Sequence, residues 1–128
     1  MSIWVKVGLI ALGGALGALL RTGASELVGA WSQRAWLGTL VVNLVGCLVM
    51  GFSRGAVELF DWGSPEARVL LFSGFLGAFT TFSTFKADAV GLWGTGSKLM
   101  SIGYLTVSVA GGALFFMLGW WAVSRAAS

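Results

Sequence analysis

The sequence predicts an all-α membrane protein of four transmembrane helices, the third of them broken. Three observations lead there. Of 128 residues, 57% are hydrophobic and only 10% charged, whereas a water-soluble domain carries about 25% charge; mean hydropathy is +0.89. Four stretches with little or no charge each approach the roughly 20 residues a helix needs to cross a hydrocarbon core. One of them contains Gly74-Phe75-Leu76-Gly77-Ala78-Phe79-Thr80-Thr81-Phe82-Ser83-Thr84-Phe85, which sets two helix-weakening glycines and four hydroxyls inside an apolar run. A bilayer offers no water to an open backbone, so a break there is tolerated only where protein or a water-filled path surrounds it.

The first span runs from about Ile3 to Leu20, with Lys6 close enough to its end to snorkel. Its Gly13 and Gly17 form a GxxxG pattern that lets helices approach closely. Arg21 follows rather than a processing site, so the run reads as a retained span. Thr22 to Ala35 has room for a short interfacial helix. The second span covers about Trp36 to Ser53, with Asn43 at its middle and Thr39 one turn earlier. Between Arg54 and Ala67 the turn-forming Asp61-Trp62-Gly63-Ser64-Pro65 places Ser64 as an N-cap before Pro65 at the first helical position. The third span runs from about Arg68 to Trp93, interrupted near Gly74 to Thr81, with Lys86 and Asp88 beyond the interruption. Gly94 to Lys98 is a tight link. The fourth span, Leu99 to Ser124, is 26 residues without a charge. Trp31, Trp36, Trp62, Trp93, Trp120 and Trp121 fall near span ends, as an aromatic belt requires. Nothing is left over for a soluble domain, so residues 1–128 read as a single transmembrane domain.

Several classes of function drop out. There is no histidine, and Cys47 is the single cysteine, which removes disulfide frameworks and zinc or haem sites within one chain. No Asp or Glu lies deep in a span, where a proton-coupled pump or exporter needs one. No acid pair and no nucleophile beside a base supports an enzyme. With four spans, Lys6, Arg54, Arg68 and Arg125 lie on one side, and Arg21, Arg34, Lys86 and Lys98 on the other. That balance removes the Lys/Arg bias that orients membrane proteins. Either another cue fixes one orientation or the chain inserts in both. Cations spread over both faces give no sign of nucleic-acid binding. What remains is a passive pathway for a small anion or neutral polar solute.

Four groups of residues could line such a path, each with a structural alternative. Asn43 is glue between helices or a donor facing a pore. Thr80, Thr81, Ser83 and Thr84 either bond back to their own helix or offer donors beside Phe82 and Phe85. Those two rings, three residues apart, share one side of a helix. A phenyl ring has a positive edge, which faces an anion without the grip of a full charge, and weak binding is what conduction requires. Tyr104 and Ser108, with Ser101 and Gly112 on the same stripe, form a polar track or a packing seam. Arg21 pairs with Glu26 or a terminal carbonyl, or else raises anion concentration at a pore mouth.

Three blocks then carry a likeness: Gly13-Gly14 with Gly17-Ala18 and Arg21; Gly38-Thr39-Leu40 with Val42-Asn43, Gly46 and Gly51; and Gly74 and Gly77 followed by Thr80-Thr81-Phe82-Ser83-Thr84-Phe85. With its four-span layout the chain resembles the Fluc, or CrcB-type, fluoride channels over nearly its whole length. The resemblance implies an antiparallel, dual-topology homodimer in the cytoplasmic membrane, with two pores that export toxic fluoride passively. It implies pore-lining roles for Asn43, Phe82 and Phe85, with Ser83, Thr84 and Thr39 alongside and Tyr104 and Ser108 as a polar track. It further implies a structural sodium ion at the dimer centre, held by the backbone carbonyls of Gly77 and Thr80. The chain departs from the family pattern at Thr22, Ala78, Asp88 and Gly112, which stand where an aromatic, a glycine, a glutamate and a hydroxyl residue are frequent. Two rivals are a proton-coupled small drug exporter, which the missing carboxylate disfavours, and a structural subunit of a membrane complex, which would not need the polar lining.

Overall fold

Ser2 starts the first helix by accepting a hydrogen bond from the Val5 N–H at 3.3 Å, which relieves one of the unpaired donors at a helix start. The computed structural model describes all residues 1–128, and its regular elements are all helical. They are α1 (Ile3–Ser32), α2 (Ala35–Phe60), α3 (Pro65–Arg68), a π-helix (Val69–Leu76), α4 (Gly77–Phe79), α5 (Phe82–Gly94) and α6 (Lys98–Ala127). Four spans, Ile3–Ser32, Ala35–Phe60, Pro65–Gly94 and Lys98–Ala127, are long and apolar enough to cross a membrane.

The surface is that of a lipid-facing chain. Only 19 of 128 residues are buried, and Leu12, Leu16, Leu19, Val45, Val109 and Leu114 are among the exposed ones. Large apolar side chains in a water-soluble protein go the other way. Cations sit over tryptophans at two helix ends: Lys98 Nζ lies 5.1 Å from the Trp93 ring and the Arg125 guanidinium 4.9 Å from the Trp121 ring. Both pairs suit the headgroup level, where an aromatic body and a charged tip are both solvated.

The helix ends differ in part from the expectation. Helix α1 does not stop near Leu20 with a separate interfacial helix after it. It continues unbroken to Ser32 and turns at Gln33, whose backbone is left-handed (φ 57°). Arg21, Thr22 and Gly23 look like a span end, but a helix satisfies its own backbone and can carry polar residues past the hydrocarbon at no backbone cost. Helix α2 likewise runs on to Phe60. After it the predicted turn forms: the Ser64 hydroxyl accepts from the Ala67 N–H at 3.2 Å, and Pro65 opens α3. Arg68 reaches back to the Asp61 carboxylate at 2.6 Å.

Two seams assemble the bundle. Helix α2 packs along α6, and α1 packs along the π-helix. The second seam needs Gly13 and Gly17: a Cβ at Gly13 would strike the Leu70 carbonyl oxygen, and one at Gly17 the Phe75 carbonyl oxygen. The GxxxG pair thus lets two backbones touch.

The third span bends at two residues. Thr80 (φ −84°, ψ 151°) and Thr81 (φ −143°, ψ 123°) are extended, and α5 restarts at Phe82. The Thr81 hydroxyl caps it, accepting from the Thr84 N–H at 3.4 Å. The non-helical backbone is therefore narrower than the Gly74-to-Thr81 interval read from sequence. Gly74 to Leu76 lie in the widened π-helix, and Gly77 to Phe79 are α-helical. Gly74 instead serves the seam, where it lies against Gly13.

Candidate functional site

An extended residue inside a membrane span has an N–H and a C=O that no helix ladder takes up, and each costs several kcal/mol if left bare in hydrocarbon. Asn43 takes both from Thr81. Its Oδ1 accepts from the Thr81 N–H at 2.8 Å, and its Nδ2 donates to the Thr81 carbonyl at 2.9 Å. In a continuous helix the Thr81 N–H would close on the Gly77 carbonyl; here it is spent on Asn43, and the Gly77 carbonyl loses that partner. Gly46, one turn beyond Asn43, makes room for this docking. A Cβ there would collide with the Thr80 methyl and crowd the Phe79 ring at 3.2 Å. Of the two Asn43 donors, one N–H remains free.

That amide opens on a cavity of about 330 Å³ bounded by α2, the bend and α6. Asn43, Thr80, Phe82, Phe85 and Ser108 line it, with Gly46, Cys47, Met50, Val109 and Phe116. The Ser108 hydroxyl oxygen is buried with no hydrogen-bond partner, and an orphaned buried hydroxyl calls for a ligand or water. Phe82 and Phe85 meet edge-on, ring centroids 5.9 Å apart at 63°. They are not equivalent: Phe82 is 72% exposed and Phe85 only 5%. No ionised group lines this cavity.

A second, more polar cavity of about 250 Å³ lies on the other side of the bend. Arg21, Thr22, Ser25, Glu26, Thr39 and Thr84 line it, and Thr81 borders both spaces. The Arg21 Nε is buried without a partner. Its pairing with Glu26, one option from the sequence, is not made; the ion pairs are Arg54 with Glu58 and Arg68 with Asp61.

The sequence candidates thus separate. Asn43, Phe82, Phe85 and Ser108 converge, and Thr80 joins them. Thr39, Thr84 and Arg21 converge across the bend. Tyr104 does neither. It is buried in an aromatic cluster, 5.4 Å from Phe85 and 5.5 Å from Trp36 by ring centroids, with its hydroxyl 3.4 Å from the Asp88 carboxylate. The Tyr104–Ser108 stripe is real along α6, but its two members face different neighbours. Ser83 is exposed and lies outside both cavities, and Gly77 is exposed as well. Gly46, Cys47 and Met50 join the lining of the first cavity, and the sequence carries a signal for them, since they stand three, four and seven residues beyond Asn43 and share its face. Phe116 had no such signal, since only the pairing of α2 with α6 brings it in.

The family described as CrcB-like protein, Camphor Resistance (CrcB) matches residues 8–120. Several similar proteins bear the name fluoride-specific ion channel FluC. One from Nitratidesulfovibrio vulgaris is 46% identical over 95 residues, covering 73% of this chain and 77% of the relative. One from Pseudomonas putida is 40% identical over 109 residues, 84% of this chain and 88% of the relative. One from Rhizobium leguminosarum bv. trifolii is 42% identical over 129 residues, 95% and 98% respectively.

Proposed function

Because the chain belongs to the CrcB family, a family of ion channels and not of enzymes, we propose that it conducts fluoride passively across the cytoplasmic membrane and so exports it. The relatives' name supports the ion. The observation that carries the reading in this chain is the uncharged cavity lined by Asn43, Phe82, Phe85 and Ser108, which brings together an amide with an N–H to spare, a hydroxyl without a partner and two aromatic rings. A small anion entering it exchanges part of its water shell for the Asn43 N–H, the Ser108 O–H and the positive ring edges. None of these holds it with a full charge, so it leaves again, as conduction requires. Purified protein in liposomes should release fluoride and retain chloride. Liposomes that hold fluoride would overturn the reading.

The working unit we propose is an antiparallel dimer with two pores. Ser73, Gly77, Ser83 and Thr84 are exposed along the third span, and polar groups with a carbonyl released from its helix bond are poor neighbours for lipid. A second copy related by a two-fold axis would cover them and close the assembly. The four-against-four cation balance suits insertion in both orientations. Cross-linking in membranes should trap dimers, and tags at either terminus should be reached from both faces. A uniform orientation would overturn the antiparallel arrangement. The released Gly77 carbonyl also suits the sodium expected at the dimer centre. Gly77 and Thr80 of two copies would present four main-chain oxygens to it, a donor set fit for a hard cation, and the ion's charge would offset the repulsion among carbonyl dipoles. Elemental analysis of purified dimer should find one sodium per two chains.

A further inference from the structure

Lys86 stands in α5, five residues past Thr81 at the bend and eight before the helix end at Gly94, and is exposed on the surface of this chain. A lysine on a membrane span pairs with a carboxylate, snorkels to the interface or faces a polar path. No carboxylate neutralises it: neither ion pair of this chain includes Lys86. Asp88 is two residues on, too few to share its face, and that carboxylate points at the Tyr104 hydroxyl. The lysine does not snorkel either. Snorkelling would carry Nζ toward the Gly94 end and the nearer interface. Instead the side chain runs back toward the bend, and Nζ lies 5.1 Å from the Phe82 ring centroid and 5.4 Å from that of Phe85.

We propose that Lys86 is the fixed positive charge of the fluoride path, sitting against the faces of Phe82 and Phe85 and drawing the anion to their edges. The inference rests on the fluoride-channel reading and adds to it a charged residue that governs the ion's entry. Its physics follows from the ring quadrupole. The negative face of each ring takes the ammonium, which leaves the positive edges for an anion. An ammonium over the same rings pulls their electron density further from those edges. A carboxylate partner would cancel the lysine's field, whereas two neutral rings hold the cation in place and leave its charge felt in the cavity. Lys86 does not line that cavity, so it acts at a distance and through the rings. It raises local fluoride concentration without binding the ion tightly enough to trap it.

The test is fluoride flux from liposomes as a function of fluoride concentration, for the parent and for Lys86→Arg, Lys86→Met and Lys86→Glu, each checked for dimer assembly. Lys86→Met should raise the half-saturating fluoride concentration about tenfold with maximal flux preserved. Lys86→Glu should raise it further, and Lys86→Arg, which keeps the charge and the ring contact, should match the parent. Added impermeant salt should weaken the parent at low fluoride and leave Lys86→Met unaffected, a measurement that needs no comparison of folded amounts. Equal losses in all three variants would make the lysine a packing element and overturn the proposal. A conducting parent with an unchanged Lys86→Glu variant, or a parent insensitive to salt, would overturn this proposal alone. A parent without fluoride flux would overturn the channel reading and this one with it.

Discussion

Asn43→Asp is expected to cut fluoride flux about a thousandfold near neutral pH. Two effects add. The carboxylate can still accept from the Thr81 N–H, but it cannot donate to the Thr81 carbonyl, so one main-chain group at the bend is orphaned at roughly 1–3 kcal/mol. The larger effect is electrostatic. Two like charges about 4 Å apart in a partly hydrated protein site repel by about 4 kcal/mol, and each 1.4 kcal/mol is about tenfold. The measurement is efflux from liposomes loaded with equal amounts of assembled dimer. Flux equal to the parent's would place Asn43 off the ion's path and leave it as the clamp on Thr81 alone.

Phe85→Ile is expected to lower flux about tenfold, equivalent to about 1.4 kcal/mol at the barrier, with the dimer intact. Isoleucine keeps most of the bulk but has no positive edge. Phe85 also loses its ring contacts with Phe82 and Tyr104, which subtracts roughly 1–3 kcal/mol of stability for two aromatic pairs. The parallel Phe82→Ile change touches a ring that is largely exposed, so it separates the two effects: flux should fall with little loss of stability. Thermal unfolding alongside efflux reads both. If both variants conduct like the parent, the rings are packing and the anion passes elsewhere.

The count and placement of the spans were legible because length and hydropathy are properties of local sequence, and lipid demands both. The bend was legible in outline because Thr80 and Thr81 follow two glycines in an otherwise apolar run. Its extent was not. Val69 to Leu76 is apolar but for Ser73 and Gly74, and nothing in such a run distinguishes i→i+5 bonding from i→i+4. The end of α1 is hidden for the opposite reason: Arg21 and Gly23 look like a terminus, but neither breaks a helix. Asn43 was legible as a polar group needing a partner. That the partner is the main chain of a residue 38 positions away is a tertiary fact. Periodicity puts Tyr104 and Ser108 on one stripe of α6. It could not say that Trp36 and Phe85 would enclose the first while the hydroxyl of the second would be buried without a hydrogen-bond partner.

The clamp of Asn43 on Thr81 also has a bearing on how the chain is made. A ribosome delivers the second span before the third, so the amide is already in the bilayer when the two extended threonines arrive. The later segment therefore does not have to cross with a bare peptide group; its partner is waiting. With the order reversed, the bent span would enter first and hold an unsatisfied N–H and C=O in hydrocarbon until its partner followed. The exchange rate of the Thr81 amide proton, guarded by a side chain and not by its own helix, is accordingly a direct gauge of whether the second and third spans have docked.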